Sequence, residues 1–109
     1  MKYFLVKSSD GSLLAVPLER VDGVEEVEKV FSIPFYRGKD LKGAVVFREK
    51  IYAIINRVNA EHMLFLFLRG GRTIQIEGIL ATVEDEKVEQ EEGWLLYGGE
   101  RYRIIEFAE

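Results

Sequence analysis

The stretch LKGAVVFREKIYAIINR, residues 41–57, decides the fold. Two apolar runs, 44–47 and 51–55, flank the charged trio Arg48, Glu49 and Lys50, and neither run alternates with polar residues. Four or five residues is strand length, too short for a packed helix. A strand with one wet face alternates apolar and polar side chains, so a strand without alternation has both faces covered. The segment MLFLFL at 63–68 reads the same way, whereas RTIQIEG at 72–78 and RYRIIEF at 101–107 partly alternate. The three unbroken runs are therefore expected to be buried on both faces, with Phe65 and Phe67 directed to opposite sides. One face of each would line a small barrel and the other would meet a second layer. Two small β-barrels pressed together satisfy that requirement.

Outward from this stretch, turn-forming residues recur at short intervals, among them Asp10-Gly11, Asp22-Gly23, Arg37-Gly38, residues 59–61, Gly70-Gly71 and Gly98-Gly99. Short strands with such punctuation mark a barrel or sandwich. The segments between are rich in Val, Ile, Leu, Phe and Tyr, which suit a pleated surface. Only two places suggest helix. LERVDGVEEVEKVF at 18–31 spaces Val21, Val24, Val27 and Phe31 like a helical stripe, but Asp22-Gly23 interrupts it, so one turn followed by a strand is expected. EDEKVEQEEG at 84–93 reads as a charged loop or short helix with almost nothing to bury. No repeat or linker divides the chain, and 109 residues is the size of a single domain spanning 1–109.

Apolar residues make up 48% and charged residues 31%, the balance of a protein that folds by burying a core. With no cysteine, disulfides, thiolate catalysis and sulfur-ligated metals are excluded. The longest apolar run, 63–68, is far short of the roughly 20 residues of a membrane span. The opening MKYFLVKSSD is too short for a signal segment, and a cytoplasmic location is expected. Asn and Gln together number four, against abundant Glu, Lys and Arg, a bias of hot-living organisms. The net charge of −4 hides an asymmetry: residues 37–76 carry eight bases against three acids, and 77–109 carry ten acids against three bases. Such asymmetry can mark a partner surface.

Little in the chain resembles catalytic machinery. His62 is the only histidine, and a metal site needs three or four ligands. Ser8, Ser9, Ser12 and Ser32 have no histidine base placed by local sequence. The carboxylates of 84–92 crowd a polar segment rather than an apolar cleft that would separate an acid from a base. The glycine pairs read as hairpin turns and lack the following helix and Lys-Ser or Lys-Thr end of a phosphate loop. A non-enzymatic protein without metal or cofactor is expected. The rival is a small barrel that binds single-stranded nucleic acid, with Tyr36, Arg37, Lys39, Lys42, Arg48, Lys50 and Tyr52 as its surface. Against that stands a pI near 5.1, where a basic footprint is expected. A third reading places a small ligand between the barrels.

The order of motifs resembles the CheW-like domain of bacterial chemotaxis coupling proteins. LLAVPLERV at 13–21 is similar to the family's second strand, and SIP at 32–34 followed by 41–57 to its proline and Lys-Gly…Leu-Arg-Gly run. GGRTIQIEGILATVE at 70–84 and GWLLYGGERYRIIEF at 93–107 are similar to its later strand and closing hairpin. The resemblance spans nearly the whole chain. It implies an all-β fold of two small SH3-like barrels around a shared hydrophobic core. It also implies a binding function, bridging chemoreceptor tips to the regulatory domain of a histidine kinase, with no cofactor, no nucleic acid and no membrane insertion.

By position the resemblance carries partner contact onto Val21, Gly43, Arg48 and Ile51. An arginine held at a rigid turn can fork two hydrogen bonds to carboxylates or carbonyls beside an apolar groove. Arg48 is accordingly expected at the rim of a groove where Val21, Gly43 and Ile51 converge; the alternative is a brace between the two barrels. Glu49 stands where the family has glycine and Asn56 where it has aspartate. Segment 34–43 is longer, 58–63 is shorter and no C-terminal helix follows, so the pattern is a shortened version of the domain.

Overall fold

The computed structural model describes residues 1–31, 43–56 and 63–105. Ser32, Tyr36, Arg37, Lys39, Lys42 and His62, and the turns expected at 37–38 and 59–61, lie outside the described residues. Within them, ten strands follow one another: β1 (Lys2–Ser8), β2 (Leu13–Pro17), β3 (Val21–Glu26), β4 (Ala44–Phe47), β5 (Lys50–Ile54), β6 (Leu64–Leu68), β7 (Arg72–Glu84), β8 (Glu89–Glu91), β9 (Trp94–Tyr97) and β10 (Glu100–Ile104). Single 3-10 turns at Leu18–Arg20 and Asp85–Lys87 are the only helical elements among the described residues. They fall where the sequence places one turn before a strand and a short charged helix.

The long strand β7 joins the two halves. Its first residues pair with β6 and, in parallel, with β5; its last pair with β1. Two register shifts in the β1–β7 ladder let the sheet bend from one half into the other. Around β1, β2, the end of β7 and β8–β10 lies one interior of Tyr3, Leu5, Ala15, Val83, Leu95 and Tyr102. Around β3–β6 and the start of β7 lies a second, of Val45, Phe47, Tyr52, Ile54, Phe65 and Phe67. Between them Val6, Val16, Leu66, Leu68, Ile74 and Ile76 form a shared core. The protein is thus an all-β pair of small barrels around a common apolar layer, the fold expected from the sequence.

β6 is the strand that fits the expectation best. Leu66 and Leu68 enter the shared layer while Phe65 and Phe67 fill the second barrel, so both faces are covered. Phe65 and Phe67 therefore share a side, with ring centroids 6.3 Å apart, rather than pointing oppositely. Residues two apart on a strand always do so, because its side-chain period is two. The expectation also fails on β4 and β5, where Val46 (50% exposed), Ile51 (72%) and Ile55 (45%) face water. No described element covers Val46 and Ile51, whereas Ile55 opens into the cleft between the barrels.

Candidate functional site

The β4–β5 hairpin turns through Arg48 and Glu49, both at positive φ (48° and 68°). Two successive left-handed residues match the right-handed twist of a two-residue hairpin. The pairing is Phe47 with Lys50, Val46 with Ile51, Val45 with Tyr52 and Ala44 with Ala53. Opposed residues share a face, so Val46, Ile51 and Ala53 point outward together, with Ala44 on the same face but buried. Phe31 bridges Ala44 and joins the same face at 44% exposure, whereas Ile55, just past the end of β5, lines the cleft between the barrels. The result is a contiguous apolar surface on the outside of the second barrel, which monomeric proteins rarely leave bare.

Its flanks are basic. Lys29 lies over the Phe31 ring, its Nζ 5.0 Å from the centroid. On the other side Arg72 stands opposite Ala53 across the parallel β5–β7 pair and is exposed. Neither cation has a carboxylate within ion-pair distance among the described residues.

At the turn end, the barrel mouth is an aromatic stack. Phe47 lies parallel on Phe67, centroids 4.1 Å apart, and Tyr52 meets Phe67 edge-on at 5.0 Å. The Arg48 guanidinium covers Phe47 at 4.8 Å. Tyr52 donates its hydroxyl to Asp22 Oδ2 at 2.8 Å, and burial, then this carboxylate, raises its pKa. A tyrosine only 3% exposed and already hydrogen-bonded cannot stack a nucleobase, which removes it from the nucleic-acid surface the sequence suggested.

The four residues singled out by resemblance do not converge. Ile51 is on the outer apolar face, and Arg48 closes the adjoining mouth. Gly43 lies at the opposite end of β4, about 16 Å from Arg48 at the usual strand rise. There its φ of +119° and the place of its absent Cβ, 2.6 Å from the Phe31 carbonyl oxygen, make glycine obligatory where β4 meets Phe31. Val21 pairs with Leu68 and packs toward the shared layer, separated from β5 by β6 and β7. Among the described residues Arg48 lies over Phe47 of its own barrel.

A second concavity, of about 640 Å³, opens between the barrels. Leu14, Ile74 and Ile104 line it, with Asp10, Asn56 and Arg103 among its polar groups. Asn56 ties the halves together there. Its Nδ2 donates to the Gln75 carbonyl (2.7 Å) and to Ser9 Oγ (3.1 Å), and its Oδ1 accepts from the Gln75 amide (2.8 Å). Asp10 accepts from the Ser8 hydroxyl and the Ser12 amide, which lower its pKa and keep it ionised. Among the described residues no group of side chains could hold a metal ion. No described helix is long and apolar enough to cross a membrane.

Sequence reasoning found Ile51 but missed Val46, Ala53, Phe31 and the flanking Lys29 and Arg72. The signal for the first two was the strand period: with Val45 and Phe47 inward residue 46 must point out, and with Tyr52 and Ile54 inward so must 51 and 53. Lys29, Phe31 and Arg72 carry no such signal, because tertiary pairing brings them to the hairpin.

No family model matches the chain, and no curated protein matches it. Among solved structures the chain is similar to the scaffolding protein TtCheW from Thermoanaerobacter tengcongensis, with a TM-score of 0.68 and 14% sequence identity. The likeness covers 97% of this chain and 88% of that one. At this identity the likeness is one of fold.

Proposed function

We propose that the chain is a non-enzymatic, cytoplasmic protein-binding module of the CheW-like kind. It docks the regulatory domain of a histidine kinase, a chemoreceptor tip, or both, and so links them in chemotaxis or related two-component signalling. The observation that carries this reading is the outer face of the second barrel. There Phe31, Val46 and Ile51 stand together, each 44% exposed or more, on an otherwise well-filled barrel. Covering such a face is worth roughly 25 cal/mol per Å² of apolar surface, and only another macromolecule is broad enough to do it. The fold shared with a protein described as a scaffold supports the same reading. Ile51 is the central anchor, Arg48 reaches the partner from the turn, and Gly43 and Val21 support the face through the closure of β4 and the packing of β3.

The test is calorimetric titration of the chain with the kinase regulatory domain and with a receptor-tip fragment from the same genome. Saturable binding that Ile51→Glu abolishes is expected. Absence of binding to either, together with micromolar affinity for single-stranded nucleic acid that falls steeply with salt, would replace this reading with the small-barrel nucleic-acid binder.

A further inference from the structure

We infer that the partner surface received by this face is an apolar strip flanked by carboxylates, and that it is not the same face of a second copy. The inference rests on the binding-module reading and adds the chemistry of the partner. The apolar row of Val46, Ile51 and Ala53 runs along two strands, with Lys29 beyond Phe31 on one side and Arg72 beside Ala53 on the other. Lys50 and Arg48 stand at the turn end, where Glu49 is the single acid of the hairpin. None of these four cations has an ion-pair partner within the described residues, although elsewhere Lys2, Lys7, Lys87 and Arg101 each meet a glutamate.

Four cations around one bare apolar patch, with Glu49 the single acid of the hairpin, are complementary to something of opposite sign outside the chain. A rim of one sign attracts the opposite sign and repels its own. Two copies joined face to face by a twofold axis would bring Lys29 and Arg72 of each against a surface whose hairpin carries one acid, Glu49, among four cations. An acidic amphipathic segment answers both needs at once: its apolar side covers Ile51 and its neighbours, and its carboxylates reach the lysine and the arginines. Arginine suits this role, since its planar fork can take a carboxylate with two parallel hydrogen bonds.

The experiment uses the whole chain and two synthetic amphipathic peptides with one apolar stripe in common, one flanked by glutamates and the other by lysines. Methyl spectra of the labelled chain are followed through each titration, and sedimentation equilibrium reports self-association. The acidic peptide is expected to shift the Val46 and Ile51 methyls and to bind about tenfold or more tightly than the basic one. Its advantage is expected to shrink as salt is raised and to reverse in the double variant Lys29→Glu, Arg72→Glu. Equal affinity for the two peptides, failure of the acidic peptide to bind, shifts confined to other residues, or a dimer abolished by Ile51→Glu would each overturn the inference. Should the kinase regulatory domain bind while the acidic peptide does not, the charge assignment falls and the binding module stands.

Discussion

Replacing Gly23 with alanine probes the packing that holds the barrel mouth, and with it the position of Arg48. A Cβ built on Gly23 lies 2.7 Å from Phe47 Cζ and 3.1 Å from Cε2. Carbon atoms at rest sit about 3.5–4.0 Å apart, so the ring has to withdraw by most of an ångström. A phenylalanine ring at a free surface would swing aside cheaply. This one is stacked on the fully buried Phe67 at 4.1 Å and 5°, and Arg48 covers its exposed side. Overpacking of this kind costs about 1–3 kcal/mol. Gly23 is outside the left-handed region, so alanine also removes unfolded-state freedom, an opposing gain of about 0.4–1 kcal/mol. Overpacking wins, with a net loss of roughly 0.5–2 kcal/mol, or about 2–8 °C in melting temperature for a domain of this size. Thermal and urea denaturation measure it, and in the Phe47→Leu background the penalty is expected to shrink because the clashing ring atoms are gone. An unchanged or higher melting temperature for Gly23→Ala, or the same penalty in both backgrounds, would refute the packing argument.

Glu49→Gly is expected to stabilise the hairpin by about 0.5–1 kcal/mol in denaturant titration, because a left-handed φ of 68° strains any side chain and not glycine. Arg48→Ala is expected to weaken partner binding by about 1–3 kcal/mol, read by calorimetry. Its stability is expected to fall by only about 0.5–1 kcal/mol, the worth of an exposed cation–π contact. Tyr3, Tyr52 and Tyr102 all have raised pKa values, burial being the first cause in each. A folded pKa above the unfolded one means that their contribution is intact below about pH 10 and is lost as pH climbs through the folded values. Denaturation midpoints measured against pH are expected to fall on that alkaline limb, less steeply in Tyr52→Phe.

Much of the architecture was legible because it depends on short-range pattern. The turn glycines, the 3-10 turn ahead of β3 and the double coverage of β6 all follow from local composition and strand length. The β4–β5 hairpin was misread for a physical reason. Its inward residues (Val45, Tyr52, Ile54) and outward residues (Val46, Ile51) are both apolar, so alternation carries no contrast, and only tertiary packing decides which side stays wet. The site suffered from the same gap. Val21, Gly43, Arg48 and Ile51 match a family pattern along the chain, but register distributes them over a shared layer, a strand junction, a barrel mouth and an open face. Asn56, noted only as a departure from aspartate, proves to be a link between the barrels, because its amide can both donate to and accept from the backbone of Gln75, which a carboxylate cannot.

The measurement closest to the central claim is hydrogen exchange of the chain alone and in complex with the kinase regulatory domain, paired with the Ile51→Glu affinity. Protection gained at 44–55 and around Phe31, with the β8–β10 hairpins unchanged, is the expected footprint. Loss of an anchor of this kind costs about 2 kcal/mol or more, so Ile51→Glu is expected to weaken binding by about thirtyfold or more while the melting temperature holds. A complex that protects the first barrel or the cleft between the barrels, and that Ile51→Glu leaves intact, would contradict the assignment of the partner to the outer face of the second barrel.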